Sequence, residues 1–353
     1  MRITLVIPTF KQGGMERVMS ELADYWSNNS MHIDLVFLVK HKPFYEVNEN
    51  LNSVSTPNFT YKKNLISKFL YKIKLLFYLR NKYKNLKTDV VLSFGEGYNS
   101  FVLLSGLGTR VNVFVSNRSN PFKELSLSLR IFQKMLYPTA KGIFVQTSLA
   151  KEIMLKKIQH KNIILMPNPV KIIHRVDAVK RNIVLNVGRL VPEKDQLTLI
   201  RIFDEINRKD WELHIIGDGP LRSQLENEIR TRKLEENVKL LGIKRDLSVY
   251  MSKSKVFAFT SISEGYPNAL CEAMAFPLAC ISFDCDAGPR DIIEDGENGF
   301  LIDKNNDELY KKRLLELMDS DELQNNFMSK SINIRNDQTI ERISEEILSA
   351  LKS

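Results

Sequence analysis

Apolar residues in this chain come in short unbroken runs, separated by longer stretches with helical periodicity. In the first half, residues 2–8, 34–39, 90–94, 111–116 and 143–147 read as strands. In the second half the same reading falls on residues 183–187, 213–216, 238–241, 256–260 and 279–283. Runs that are apolar at nearly every position, rather than at every other one, suit strands covered on both faces, as in parallel sheets. Between them lie helical patterns, such as residues 13–27 with Val18, Leu22 and Tyr25 on one face. Two such halves predict two doubly wound α/β domains. Pro167 and Pro169 can continue neither a strand nor a helix, so the boundary is placed there. The expected organisation is a domain over 1–170, a second over 171–336, and a segment over 337–353. That segment carries Ile340, Ile343, Ile347, Leu348 and Leu351 at amphipathic spacing and reads as a closing helix. Neither an internal repeat nor a low-complexity tract is visible.

Composition narrows the class. A chain of 353 residues with 43% hydrophobic and 26% charged residues suits two ordinary globular domains and argues against a disordered or fibrous protein. No window holds the run of about 18 apolar residues that a membrane span requires. The apolar run 3–7 is too short for a signal-peptide core. Cys271, Cys280 and Cys285 are odd in number and lack zinc-site spacing. These features predict a cytosolic protein. The charge is unevenly divided: residues 1–172 carry 25 Lys and Arg against 10 acids, whereas residues 173–353 carry 26 against 32. The first half is therefore expected to face something anionic.

Several loops carry candidate chemistry. Gly13-Gly14 follows the first strand and opens a helix, whose N-terminal N–H groups suit an anion; the alternative is a tight strand–helix turn. The dinucleotide fingerprint Gly-x-Gly-x-x-Gly is absent there. In the second half, Gly188-Arg189-Leu190 with Lys194 places two cations at the mouth of a sheet, where open α/β folds bind ligands and where a diphosphate would sit. Gly217-Asp218-Gly219-Pro220 reads first as turn chemistry. Ser263-Glu264-Gly265-Tyr266-Pro267-Asn268-Ala269-Leu270-Cys271-Glu272 reads as a loop entering a helix near Pro267, with Glu272 roughly two turns in. Two carboxylates so placed suit vicinal hydroxyls, as in a sugar and a ribose, and the helix start suits phosphates. The plainer reading makes Glu264 a first-turn acid and Glu272 a surface residue.

Together these motifs, with Gly288-Pro289-Arg290-Asp291 and Asp295-Gly296-x-Asn298-Gly299-Phe300, keep an order and spacing that resembles the retaining glycosyltransferase family 4 from residue 1 to about 320. The resemblance implies the GT-B fold: two Rossmann-like domains facing across a cleft, with the C-terminal helix closing back on the first. The first domain would bind the acceptor and the second the nucleotide sugar. By position, Arg189 and Lys194 would hold the diphosphate, Glu264 the donor sugar hydroxyls and Glu272 the ribose. Backbone N–H groups of Asn268, Ala269 and Leu270 would meet the phosphates, and Gly13 and Gly14 would close over them. The leaving diphosphate would itself assist proton removal. Many relatives carry a His where this chain has Arg118, within Ser116-Asn117-Arg118-Ser119-Asn120-Pro121. An arginine is no base, so Arg118 is a catalytic candidate only as a neutraliser of phosphate charge. No cofactor or metal is expected beyond the co-substrate, with UDP favoured over GDP. Asp284-Cys285-Asp286 is the alternative, a two-acid metal site of the kind other glycosyltransferases use. The five histidines show no ligand spacing, and His214 reads as a core residue.

One segment remains. Between Glu49 and Asp89 there is no acid, and residues 61–87 hold nine Lys and Arg. Leu65, Ile66, Phe69, Leu70, Ile73, Leu76 and Phe77 fall at helical spacing among them. This basic amphipathic helix suits an anionic membrane surface; the alternative is that its apolar stripe packs on the first domain. The sequence thus predicts a hexosyl or N-acetylhexosaminyl transferase, peripheral on the inner face of the plasma membrane, acting on a polyprenyl-diphosphate-linked glycan. The rival readings are a GT-B nucleotide-sugar epimerase and a nucleic-acid-binding protein using the basic helix. The latter lacks interleaved stacking aromatics and a recognised binding fold, and nucleic acid is not an expected partner.

Overall fold

The computed structural model describes residues 1–11, 13–60 and 64–353. Gln12 of the first loop, residues 61–63 of the basic segment and the Leu65 side chain lie outside the described residues. The chain forms two compact units, one of Met1–Pro169 with Ile340–Ser353 and one of Val170–Thr339.

The first unit runs β1 (Arg2–Ile7), α1 (Gly14–Asn28), β2 (His32–Phe37), β3 (Ser53–Ser55), α2 (Leu65–Asn85), β4 (Val90–Phe94), α3 (Glu96–Gly106), β5 (Asn112–Asn117), α4 (Leu127–Leu136), β6 (Gly142–Val145), α5 (Ser148–Lys157) and β7 (Ile163–Leu165). Among the described residues its strands form one parallel sheet in the order β3-β2-β1-β4-β5-β6-β7, with Ile3 opposite Ile33 on one side and Val90 on the other. Successive side chains of β1 point to opposite faces. Ile3, Leu5 and Ile7 join a core with Val18, Leu22 and Trp26 of α1, while Val6 joins the core under α2 and α3. Burial on both faces is the reason Ile3, Leu5, Val6 and Ile7 are all apolar, while the buried Thr4 shares a hydrogen bond with the Thr88 hydroxyl at 2.7 Å.

The second unit runs β8 (Ile183–Val187), α6 (Gln196–Ile206), β9 (Glu212–Ile216), α7 (Arg222–Thr231), β10 (Val238–Leu240), α8 (Ser248–Lys253), β11 (Val256–Phe259), α9 (Asn268–Ala275), β12 (Ala279–Asp284), β13 (Phe300–Asp303), α10 (Asp307–Asp319), α11 (Asp321–Ser331) and α12 (Asn333–Asp337). Its parallel sheet has the order β10-β9-β8-β11-β12-β13. Strand β11 alternates in the same way, with Val256 and Ala258 facing one core and Phe257 and Phe259 the other. Each sheet reverses its strand order once, between β1 and β4 and between β8 and β11. Loops at the carboxyl ends of such neighbouring strands open the crevice where doubly wound folds bind ligands.

The last helix, α13 (Ile340–Lys352), returns to the first unit. Ile343, Ile347 and Leu351 stand four residues apart and enter the core beside α1, and Trp26 Nε1–H donates to Ser344 Oγ. The chain leaves the second unit after Thr339, three residues beyond the boundary expected at 336.

Helix α2 departs from the packing alternative. Tyr71, Leu75, Leu79 and Tyr83, four residues apart, are the side chains it buries. The stripe singled out in the sequence faces outward: Ile66 is 74% exposed, Phe69 64% and Phe77 63%. The helix thus carries two apolar stripes, and only one packs on the unit. Arg80 is no free surface cation, because its guanidinium donates to the Leu107 carbonyl at the end of α3.

Candidate functional site

The loop after β8 is shaped by glycine. The Gly188 N–H donates to Ile216 O at 2.9 Å and the Leu190 N–H to Asp218 O at 3.0 Å, so the loop lies directly on Gly217-Asp218-Gly219-Pro220. Gly217 has φ +146°, and a Cβ there would stand 1.8 Å from the Gly188 carbonyl oxygen; one on Gly219 would stand 2.4 Å from that of Leu190. This motif is a wall against which the basic loop is moulded. Gly217→Ala should therefore destabilise by about 1–3 kcal/mol for the backbone conformation, with a comparable cost for the displaced loop. A melting temperature equal to that of wild type would remove this role.

Leu190 is fully buried and anchors the loop, leaving Arg189 exposed, with no ion-pair partner among the described residues. Lys194 ends a single 3₁₀ turn, Pro192–Lys194, and Asp195 beyond it caps α6 by accepting from the Thr198 N–H at 3.4 Å. Lys194 Nζ then forms an ion pair with Glu264 Oε1. Their side chains are only 19% and 10% exposed, and Lys194 also lies 5.4 Å from the centre of the Phe259 ring. Backbone contacts fix the two loops around this pair: Ile262 N–H donates to Glu193 O at 2.9 Å, and Thr260 Oγ1 donates to Lys194 O at 3.2 Å. Residues 70 apart in sequence meet because β8 and β11 are neighbours.

Helix α9 starts at Asn268, so Glu272 lies one turn into it rather than two, and it is partly buried. Of the three N–H groups at this start, that of Asn268 donates to Tyr266 O at 3.0 Å and that of Leu270 to Pro267 O at 3.0 Å. The Ala269 N–H makes no backbone hydrogen bond outside the helix among the described residues and points from the first turn, where helices leave donors open. Tyr266 is buried, and its hydroxyl donates to Gln338 Oε1 at 2.9 Å. Burial pushes that hydroxyl's pKa well up, with Cys271 adding to the effect. Gly288 has φ +105°, and a Cβ there would lie 2.3 Å from Pro267 Cδ, so Gly288-Pro289 packs on the entry to α9. Cys285 is buried nearby; burial, and next the Glu264 charge, push its thiol up to about 12.

Asp284 is engaged by Arg290, whose Nε and Nη2 reach its two carboxylate oxygens at 3.0 and 2.6 Å, and Asp286 pairs with Lys304 at 3.4 Å. Among the described residues no group of three or more His, Cys, Asp or Glu side chains is arranged to hold a metal ion. His214 is partly buried in β9, with Nε2 2.8 Å from Glu212 Oε2.

In the first unit, Gly13 precedes α1 in extended backbone, accepting from Tyr45 Oη–H at 2.9 Å, and Gly14 is exposed as the first helical residue. Glu16 lies under Gly13, and burial raises its pKa against the opposing pull of His41. Arg118 directly follows β5, with its guanidinium 3.9 Å from the centre of the Phe94 ring. Its Nε donates to Ser116 Oγ at 3.1 Å, and Nη1 donates to Asn168 Oδ1, which also accepts from Gln146 Nε2 at 2.5 Å. The residue that sequence reasoning missed is Glu96. Its carboxylate accepts the Arg118 and Ser119 N–H groups, the latter at 2.7 Å, and Ser119 Oγ–H at 2.9 Å. The available signal was its place: Gly95-Glu96 follows β4, the neighbour of β1 at the sheet's switch point. Gly13, Gly14, Arg118 and Glu96 belong to the first unit; Arg189, Lys194, Glu264, Asn268, Ala269, Leu270 and Glu272 belong to the second.

Two Rossmann-like units, the second holding the Lys194–Glu264 pair at the switch point of its sheet, define a doubly wound α/β class with its ligand crevice at the strands' carboxyl ends. The family model of the group 1 glycosyl transferases matches residues 172–333. The amylovoran biosynthesis glycosyltransferase AmsD of Erwinia amylovora is 30% identical over 325 residues, covering 89% of each chain. An alpha-1,4-N-acetyl-D-galactosaminyltransferase of Campylobacter jejuni, named for a substrate on diphosphoundecaprenol, is 26% identical and covers 94% of this chain and 92% of its own. Among solved structures, Anabaena HepE in complex with UDP superposes with a TM-score of 0.83 at 15% identity, covering 100% of both chains. The chain belongs to the group 1 glycosyltransferases, with the GT-B fold.

Proposed function

We propose that this enzyme is a retaining transferase that moves a hexosyl or N-acetylhexosaminyl group from a nucleoside diphosphate sugar to a polyprenyl-diphosphate-linked glycan. The observation that carries the reading is the Lys194–Glu264 pair, sequestered at the carboxyl ends of β8 and β11 beside the start of α9. A cation for phosphate and a carboxylate for hydroxyls are held there in one fixed geometry, the arrangement that positioning and electrostatic catalysis require. Arg189 and Lys194 take the diphosphate, with the Ala269 N–H as a further donor. Glu264 accepts from donor-sugar hydroxyls and Glu272 from the ribose diol. Gly13 and Gly14 offer the α1 N-terminus to an anionic group. As the bond from the acceptor oxygen to the anomeric carbon forms, the bond to the diphosphate breaks, and the acceptor proton passes to the departing phosphate. Arg118, held on Phe94 and Asn168, neutralises phosphate charge and takes no proton.

UDP as the nucleotide is supported by the UDP-bound Anabaena relative, and a lipid-linked acceptor by the names of the Campylobacter relatives. No described helix is long and apolar enough to cross a membrane. The outward stripe and lysines of α2 support peripheral attachment at the inner face of the plasma membrane.

Thermal stabilisation across a set of nucleotide sugars tests the donor: a ligand at 100 times its Kd adds about 2.7 kcal/mol. Arg189→Ala and Lys194→Ala should each weaken UDP binding by about 1.5–3 kcal/mol, the loss of a charged hydrogen bond. Unchanged affinity in both would remove the clamp, and an epimerised donor formed without acceptor would replace a transferase with an epimerase. We propose a metal-independent reaction, so a chelator should leave turnover intact. Loss rescued by Mn²⁺ would instead make ligands of Asp284 and Asp286.

A further inference from the structure

Helix α4 carries an apolar stripe that no described residue of the first unit covers. Leu127, Ile131, Phe132 and Met135 are 66%, 51%, 48% and 66% exposed, and Leu136 is the one residue the helix buries. The spacing is that of one helical face. Around it the charge is one-sided: between Glu96 and Glu152 the chain has one acid, Glu124, and seven Lys and Arg. Lys123, Arg130 and Lys134 make no ion pair among the described residues, and neither do Lys68, Lys72 and Lys74 of α2. In the second unit Arg181, Arg208, Arg232 and Lys311 are paired with carboxylates. Cations left unpaired beside uncovered apolar side chains call for an external partner that is anionic and apolar at once.

We propose that α2 and α4 together form one lipid-facing surface, with α4 an insertion element that sits in the boundary of an anionic bilayer. The proposal rests on the membrane-surface reading of α2 and adds a second helix and a defined face. Both helices pack on α3, and Tyr71 and Leu75 of α2, Val102 and Leu103 of α3 and Leu136 of α4 share one core on one face of the sheet. Their outward stripes therefore open on the same side of the unit. Aliphatic side chains enter the acyl boundary while lysine stems reach the headgroups, which is how interfacial helices bind. A second copy of the chain fits less well, because a twofold interface sets like charges against each other. Single-stranded nucleic acid fits less well, because beside Phe69, Phe77 and Phe132 the two stripes are mostly aliphatic (Ile66, Leu70, Ile73, Leu127, Ile131 and Met135), a surface for acyl chains rather than for stacked bases.

Met135→Cys, labelled with an environment-sensitive fluorophore, reads insertion directly, since the native Cys271, Cys280 and Cys285 are all buried. Vesicles of equal parts phosphatidylglycerol and phosphatidylcholine should shift its emission to the blue, and pure phosphatidylcholine should not. A Leu127→Ser, Ile131→Ser, Met135→Ser variant should partition onto the same vesicles about tenfold less well, with stabilisation by the donor nucleotide unchanged. Vesicle binding without an emission shift would confine the contact to α2 and overturn the proposal alone. A shift on concentrating the protein without lipid would make the face a self-association surface, which also overturns it. Absence of vesicle binding would remove the membrane reading as well, while donor turnover would keep the transferase reading standing.

Discussion

Glu264→Gln should lower kcat by about 10²–10³-fold, the loss seen when one preorganised polar contact to a transition state is removed. The substitution keeps the shape and an oxygen acceptor for Lys194 Nζ but removes the charge. The side chains are only 19% and 10% exposed, so the Lys194 charge loses a counterion in a place water reaches poorly. A modest loss of melting temperature is expected for that reason, smaller than for Glu264→Ala, which leaves the ammonium with no acceptor at all. UDP should still stabilise the variant, because the proposed role of Glu264 is toward the sugar hydroxyls rather than the nucleotide. Turnover near wild type would reduce Glu264 to a structural counterion of Lys194. Loss of UDP binding together with turnover would show that it acts through Lys194 alone, and steady-state kinetics beside a nucleotide titration separates the two.

The pair itself was not legible as a pair. Glu264 and Lys194 each stand out in sequence as charged residues after apolar runs, but their meeting depends on β11 pairing with β8, a neighbourhood set by crossover topology. The strands β4 and β8 fall where unbroken apolar runs put them. The short strands β3, β7 and β13, three or four residues long, give no periodic signal of their own. Gly217 illustrates a motif whose purpose only coordinates reveal: turn chemistry is plain in Gly-Asp-Gly-Pro, but the reason for glycine is the Gly188 carbonyl against it. Glu96 was hard to single out because an acid in the first turn of a helix is ordinary dipole chemistry. Its importance comes from two backbone N–H groups just beyond the end of the next strand. In α2 the sequence showed one apolar stripe while the helix has two. Tyr71, Leu75, Leu79 and Tyr83 pack, because they face the sheet, and periodicity alone does not say which stripe does so.

That second stripe sets the remaining prediction. Lys68→Gln, Lys72→Gln and Lys74→Gln in one chain should reduce binding to phosphatidylglycerol vesicles by about 3 kcal/mol, at about 1 kcal/mol for each basic residue near the surface. These three lysines are exposed and unpaired among the described residues, whereas Arg80 is kept because it holds the Leu107 carbonyl. Glutamine preserves helix propensity and side-chain reach, so the core stripe is untouched and the melting temperature should stay within a degree or two of wild type. Binding by the unaltered protein should weaken steeply as salt rises, since at 0.15 M the surface potential decays over about 8 Å. Transfer to a short water-soluble acceptor should persist in the variant, because the proposed donor residues lie in the other unit. Transfer to a lipid-linked acceptor in membranes should fall with vesicle binding. If both activities fall together with the melting temperature, the lysines support the fold; if vesicle binding is unchanged, they are ordinary solvated surface and the lipid acceptor loses its support.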